Sequence, residues 1–270
     1  MKEQFLNSPL VELIAEIRWE TGLPKNALVM PGHGLEVHEE FFNRLKELVA
    51  VHGYLSSERL SPSGYPFPLA NPVWRFKKSS VASAPSERAK ELASVLQVGA
   101  GFFSINALQP YSTWYDFVKV LKAGVDSLLE SEPCMKNSGY SLTLKYLNAF
   151  GESYLESTDL RSFLEKYLDI KLNLPEAITK HSINDSSETP LLHIKTPIKI
   201  GSLNILFAEG NVRNEDSLIM ENSVVVDTQF ESDSAQIVEA FSHSRDVIHD
   251  VFISLTKKLH DKMKFVDEEK

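Results

Sequence analysis

The chain has a single cysteine, Cys134, among 270 residues. An intrachain disulfide and a cysteine-based metal cluster are therefore excluded. A positive balance is also missing, since 28 Lys and Arg against 37 Asp and Glu leave a net charge of −9. The densest basic stretch is only Arg75, Lys77 and Lys78. Nucleic-acid binders carry a basic stripe because phosphate neutralisation supplies much of their affinity, so nucleic acid is not the expected partner. No uncharged apolar run approaches the ~18 residues of a membrane span. Met1-Lys2-Glu3-Gln4-Phe5 lacks the apolar segment of a signal peptide. A soluble, cytoplasmic protein without membrane contact is the expectation.

Catalytic signatures are absent too. There is no Gly-x-Ser-x-Gly elbow and no Walker A sequence. His38-Glu39-Glu40-Phe41-Phe42 lacks the second histidine, one helical turn on, that a zincin requires. His33 and His52 are not at ligand spacing from it either. His243, His249 and His260 are six and eleven residues apart and make no i, i+4 pair. Gly99-Ala100-Gly101 lacks the further glycine of a phosphate-cradling loop and reads as a hairpin turn. No catalytic residue, metal or cofactor follows from motif.

Architecture is what the chain does carry. With 43% hydrophobic and 24% charged residues it has an ordinary globular balance. Val11, Leu13, Ala15, Ile17 and Trp19 alternate with Glu12, Glu16 and Arg18, the pattern of a half-buried antiparallel strand over 10–20. A helix follows over about 36–53, with Phe41, Leu45, Leu48 and His52 at helical spacing and Gly53 as its stop. Ser56 to Pro72 contains four prolines and reads as a long loop. A short strand over Val73–Lys77 precedes a small, polar stretch, Ser79–Leu92. Strands at 95–98 and 102–105 flank a three-residue turn, and a helix over 112–131 begins on the capping pair Thr113 and Asp116.

The second half repeats the plan. A strand starts at Tyr140, and Asp159 caps a helix through Leu168. Thr179 to Pro190 is a polar insert, and three strands follow near 191–200, 202–209 and 217–229. Leu192, Ile194, Ile198 and Ile200 mark one face of the first of these. A helix of roughly 30 residues, from Asp233 to about Met263, spans ~45 Å. The expected class is α+β: mainly antiparallel sheet, two strand–helix–three-strand–helix pseudo-repeats, and a long C-terminal helix. The expected halves are 1–135 and 136–270, as two domains or one continuous domain.

Five residues stand out as candidate binding groups. Asn106, Tyr111 and Trp114 lie at a strand-to-helix junction, where an amide and two large aromatics suit a binding loop. Arg18 and Tyr146 are the other candidates, as liners of a cleft between the halves. The competing reading is packing, with Trp114 stapling the new helix to the sheet. Glu12 and Glu16 share a strand face, where solvated edge charges account for them as well as acid–base work does.

Several segments together resemble a known family. They are Ser8-Pro9-Leu10-Val11-Glu12 running into Glu16-Ile17-Arg18-Trp19-Glu20, Gln97-Val98-Gly99 to Phe103-Ser104-Ile105-Asn106, and Pro110-Tyr111-x-x-Trp114. With Leu144-Lys145-Tyr146-Leu147-Asn148 and His249-Asp250-x-Phe252, they are similar to a sporadically distributed family of uncharacterised bacterial proteins of about this length. Lys145 departs from that family's usual arginine. The resemblance implies laterally transferred cassettes, such as phage defence or toxin–antitoxin operons, and implies no activity. The leading expectation is a non-enzymatic accessory or neutralising component that binds another protein encoded nearby. An acidic protein of this kind matches a basic partner electrostatically. Homodimerisation through the C-terminal helix is a further expectation. The alternatives are a small-molecule-binding module with a cleft between the halves and an enzyme whose site assembles only in three dimensions.

Overall fold

Strands form where apolar side chains recur at every second position, and each then has one side to hide. The computed structural model of the protein describes residues 3–21, 28–29, 35–60, 67–68, 71–78, 92–109, 111, 113–132, 139–156, 158–173, 175–180 and 191–267. In chain order the strands are β1 (Glu3–Phe5), β2 (Leu10–Trp19), β3 (Leu28–Val29), β4 (Ser56–Arg59), β5 (Phe67–Pro68), β6 (Trp74–Lys77) and β7 (Ser94–Gly99). β8 (Phe102–Leu108), β9 (Tyr140–Phe150), β10 (Leu192–Ile198), β11 (Gly201–Val212), β12 (Glu215–Val226) and β13 (Phe265–Asp267) complete them. The helices are α1 (Leu35–Ala50), α2 (Trp114–Glu130), α3 (Glu152–Leu155), α4 (Leu160–Leu168), α5 (Glu176–Thr179), α6 (Ser234–Leu255) and α7 (His260–Met263). Nine strands make one antiparallel sheet in the order β10-β11-β12-β9-β2-β8-β7-β6-β4, so the class is α+β. Among the described residues, no helix is long and apolar enough to cross a membrane.

The chain divides into two compact units built from separate segments. One holds Glu12–Leu144 and Val225–Ser244, the other Met1–Val11, Lys145–Val224 and Arg245–Lys270.

In the Glu12–Leu144 unit, the alternation of β2 puts Leu13, Ala15 and Ile17 wholly out of solvent, with Phe103, Ile105, Leu96, Val98 and Phe76 from its neighbours. Two amphipathic helices bring their apolar stripes to this core: Phe41, Phe42, Leu45 and Val49 of α1, and Phe117, Leu121, Val125 and Leu128 of α2. Gly124 lets α2 come close, since a Cβ there would stand 2.9 Å from the Ile105 side chain. Thr113 caps α2 by accepting from the Asp116 N–H at 3.2 Å, as the capping pair requires. Asp126 of α2 accepts from Ser234 Oγ at 2.5 Å and pairs with Lys122 at 2.6 Å. Partial burial raises the pKa of Asp126, but those hydrogen bonds outweigh it and hold the carboxyl below its ordinary value.

Two local expectations are corrected here. Ser56–Arg59 is a strand rather than loop: β4 pairs antiparallel with β6, from Ser56↔Lys77 to Arg59↔Trp74. Its sequence, Ser-Ser-Glu-Arg, has no apolar alternation, so pairing alone imposes the extended state. The hairpin turn is two residues long, because Gly99 stays in the ladder opposite Phe102 and Gly101 alone takes φ +76°. Of the small, polar stretch before β7, residues 79–91 lie outside the described residues.

In the Lys145–Val224 unit, Leu203, Ile205 and Phe207 of β11 and Leu218, Met220 and Val224 of β12 are buried. Asp159 caps α4 by accepting from the Ser162 N–H at 3.0 Å. Phe150, Phe163 and Tyr167 then stack in succession at 5.5 and 5.0 Å between ring centroids. Of the polar insert, residues 181–190 lie outside the described residues.

The C-terminal helix is shorter than the apolar stripe implies. α6 stops at Leu255, and a 3-10 turn (Lys257–Leu259) leads into α7. Buried Thr256 bonds its hydroxyl back to the Phe252 carbonyl at 2.7 Å, a contact that bends helices. Leu259, three residues after buried Thr256 across the 3-10 turn, and Met263, four residues further in α7, stay in the core although α6 has ended. Past the break, Lys262 reaches Glu156 at 2.8 Å, the Tyr154 carbonyl at 3.0 Å and the Tyr167 ring face at 4.7 Å. Tyr154 in turn donates its hydroxyl to the Asn7 carbonyl at 2.5 Å. Burial pushes the Tyr154 phenol up to about 12.

Among the described residues, one buried amide is left over. Asn222 of β12 is fully buried between Met220 and Val224, and neither its Nδ2 nor its Oδ1 has a hydrogen-bonding partner. An unpartnered buried amide costs about 1–3 kcal/mol. Asn222→Val is therefore expected to stabilise the protein by roughly 1–2 kcal/mol in urea unfolding. Destabilisation instead would mean that the amide does find a partner in solution.

Candidate interaction surface

Directly paired residues in adjacent strands project to the same side of a sheet. Opposite its apolar core face, the Glu12–Leu144 unit therefore presents a polar one. Ile14 lies across from Asn106, Glu16 from Ser104 and Arg18 from Phe102. Val95 and Gln97 continue the rows through β7, and Arg75 and Lys77 through β6, with Glu58 of β4 opposite Arg75.

These groups are knitted together. Ser104 Oγ donates to Asn106 Oδ1 at 2.7 Å, and Asn106 Nδ2 donates to Glu12 Oε1 at 2.6 Å. Arg18 pairs with Glu16 at 3.2 Å and lays its guanidinium 4.9 Å from the Phe102 ring centroid. With its amide turned so that the oxygen faces Arg75, Gln97 accepts from Nε at 3.3 Å and from Nη2 at 3.2 Å. Glu58 bonds to Lys77 at 2.6 Å and stands 3.8 Å from Arg75. The hydrogen bond from the Lys77 ammonium holds the Glu58 carboxyl below its usual range. Ser104 gives its proton to an amide oxygen and not to a base, so this contact does not activate it as a nucleophile.

The five sequence candidates separate. Arg18 and Asn106 share this polar face, Arg18 half-exposed and Asn106 buried. Trp114, half-buried, packs its ring 5.4 Å from that of Phe117, one turn on in the same helix α2. Tyr111 is half-buried between Pro110 and Ser112, both outside the described residues. Tyr146, half-buried on β9, belongs to the other unit. Among the remaining groups, His38 stacks on Phe42 at 6.4 Å, and burial lowers its pKa. His33 and Cys134 lie outside the described residues.

A different feature escapes the periodic pattern. Apolar alternation predicts that β10 buries Leu192, Ile194 and Ile198, yet the strand is exposed or half-exposed along its whole length. Ile194 is 38% accessible and Leu191, just before it, 65%. The reason is position: β10 is the outermost strand, paired with β11 alone among the described residues. Ile198 and Gly201 close the two-residue turn Lys199–Ile200 and form the hydrogen-bonded pair. By alternation Ile194 and Thr196 also face β11 with their backbone groups, while His193, Lys195 and Pro197 turn theirs outward. The side away from β11, which no described strand pairs, thus carries two N–H donors and three carbonyls, Pro197 lacking a donor. Pro197 inside an otherwise strand-like run is the legible signal, because proline demotes a run to the edge of a sheet.

No family model, curated protein or solved structure matches the chain.

Two changes probe the polar face. Gly99 faces the backbone of Asn71, whose carbonyl oxygen would lie 1.8 Å from an added Cβ. Gly99→Ala is expected to cost roughly 1–3 kcal/mol by displacing that backbone. Asn106→Ala removes the donor to Glu12 and the acceptor of Ser104, with an expected loss of about 1–3 kcal/mol in chemical denaturation. A change below ~0.5 kcal/mol would show the network to be dispensable for folding.

Proposed function

We propose that this protein is a non-enzymatic protein-binding component, and that it engages its partner by accepting an added strand at β10. The outer edge of β10, paired with no described strand, carries the reading, because N–H and C=O groups left over on an exposed strand are a template for another chain. Leu191 and Ile194 add exposed apolar area beside that edge. The resemblance to the sporadically distributed bacterial family supports a cassette setting, phage defence or toxin–antitoxin, with the partner encoded nearby.

The order of the sheet supports a further element of this reading, that the chain repeats one plan twice. β2-β8-β7-β6 and β9-β12-β11-β10 each run from a strand to a hairpin and then to an outer strand. In that correspondence β10 matches β6. The outer side of β6 is occupied by β4, whereas no described strand plays that part for β10. The partner's strand takes the place that β4 takes in the first copy.

Lys195→Pro tests this directly. It deletes an outward donor without touching the β10–β11 ladder, so melting temperature is expected to hold. The tagged wild type, purified with its neighbouring genes expressed, is expected to retain one neighbour's product stoichiometrically. Lys195→Pro is expected to lose it and Lys195→Thr to keep it. Retention of the partner by Lys195→Pro would remove the edge from the interface.

A further inference from the structure

The β4–β6 pair is an internal template for what the β10 edge recognises. β6 reads Trp74-Arg75-Phe76-Lys77, apolar and basic residues in alternation. The strand that covers it, β4, contributes Glu58, placed opposite Arg75 and bonded to Lys77. β10 opens as Leu192-His193-Ile194-Lys195, again apolar and basic in alternation. Each pairs inward in the same sense: Trp74↔Val98 and Phe76↔Leu96 in one case, Leu192↔Phe207 and Ile194↔Ile205 in the other. The buried partners lie on the apolar side of both strands, leaving Arg75 and Lys77, or His193 and Lys195, on the opposite side.

From this we infer that the segment docking on β10 is an acidic strand of a partner protein, with carboxylates at alternate positions against Lys195 and His193 and apolar residues between them. The inference rests on the strand-addition reading above and specifies its chemistry. A carboxylate opposite His193 that bonds diagonally to Lys195 repeats the placement of Glu58, opposite Arg75 and bonded to Lys77, and like charges placed there are repelled. The whole chain is acidic, so attraction at this edge comes from local charge and not from net charge. That also disfavours a second copy of the same strand: antiparallel β10 against β10 sets Lys195 and His193 near their own counterparts. Lys195 and Pro197 are familiar guards against edge-to-edge self-association. A guard that is basic excludes its own kind while remaining complementary to an acidic strand, which gives selectivity by rejection as well as by attraction.

The test uses the full chain and two labelled peptides, Thr-Val-Glu-Val-Glu-Val-Thr and the same sequence with Lys in place of Glu, read by fluorescence anisotropy. At low ionic strength the glutamate peptide is expected to bind roughly ten-fold tighter than the lysine peptide. Raising salt to about 0.5 M should shrink that ratio toward unity, as screened charges require. Lys195→Glu should reverse the preference, while Lys195→Pro should abolish binding of both peptides. Equal affinity for the two peptides, or a preference untouched by Lys195→Glu, overturns the acidic-strand assignment. Failure of both peptides while the native partner is still lost on Lys195→Pro also overturns it, yet leaves strand addition standing. A concentration-dependent dimer in light scattering that Lys195→Pro dissolves would make a second copy the occupant and overturn the proposal.

Discussion

An open sheet must end somewhere, and the backbone groups of its last strand have no neighbour to bond. That constraint organises what is distinctive in this protein. Along the interior strands there are neighbours on both sides, so composition only has to decide which face is apolar. At the ends, composition must also decide what may or may not pair next. One end is β4, four residues long and held by Glu58 against Lys77 and Arg75. The other end, β10, is seven residues long, and its outer side is not paired with any described strand. Short and charged edges discourage further pairing, whereas longer ones invite it unless guarded.

The two faces follow a simpler rule. Helices α1 and α2 cover the apolar side of the Glu12–Leu144 unit, with Leu13, Ala15, Ile17, Phe117 and Leu121 sealed from water. The opposite side carries buried polar groups, which persist because they bond to one another. Ser104, Asn106 and Glu12 form one such chain, and Arg18 with Glu16 another. Such a network orders a surface and sets its charge pattern. Gly99 belongs to the same economy of space, since only hydrogen fits where the Asn71 carbonyl passes.

The terminal segments in the Lys145–Val224 unit are held by a separate set of contacts. Lys262 links Glu156, the Tyr154 carbonyl and Tyr167, and Tyr154 grips Asn7. Lys258 adds a contact with Asp169. These depend on the break at Thr256, which turns the chain after α6 so that Lys262 points at α3 and α4. Exposed ion pairs of this kind contribute little singly, and their value lies in fixing where the chain ends run.

Much of the secondary structure was legible in the amino-acid order. Period-two alternation located β2, β9 and the β10–β11 run, a glycine-bearing turn between two strand-like runs located β7 and β8, and helical spacing with the Thr113 and Asp159 caps located α2 and α4. These signals are local: an apolar stripe or a cap has the same meaning wherever the element lies. Three things were decided only in the tertiary structure. β4 has no pattern of its own and is a strand because β6 offers it a ladder. α6 ends at Leu255 although its stripe runs on, because buried Leu259 in the 3-10 turn and Met263 in α7 extend the apolar pattern past the helix end. β10 has the apolar alternation of an interior strand and stands exposed because nothing in a periodic pattern says which strand is last. Alternation specifies a face; only the assembled sheet specifies an edge.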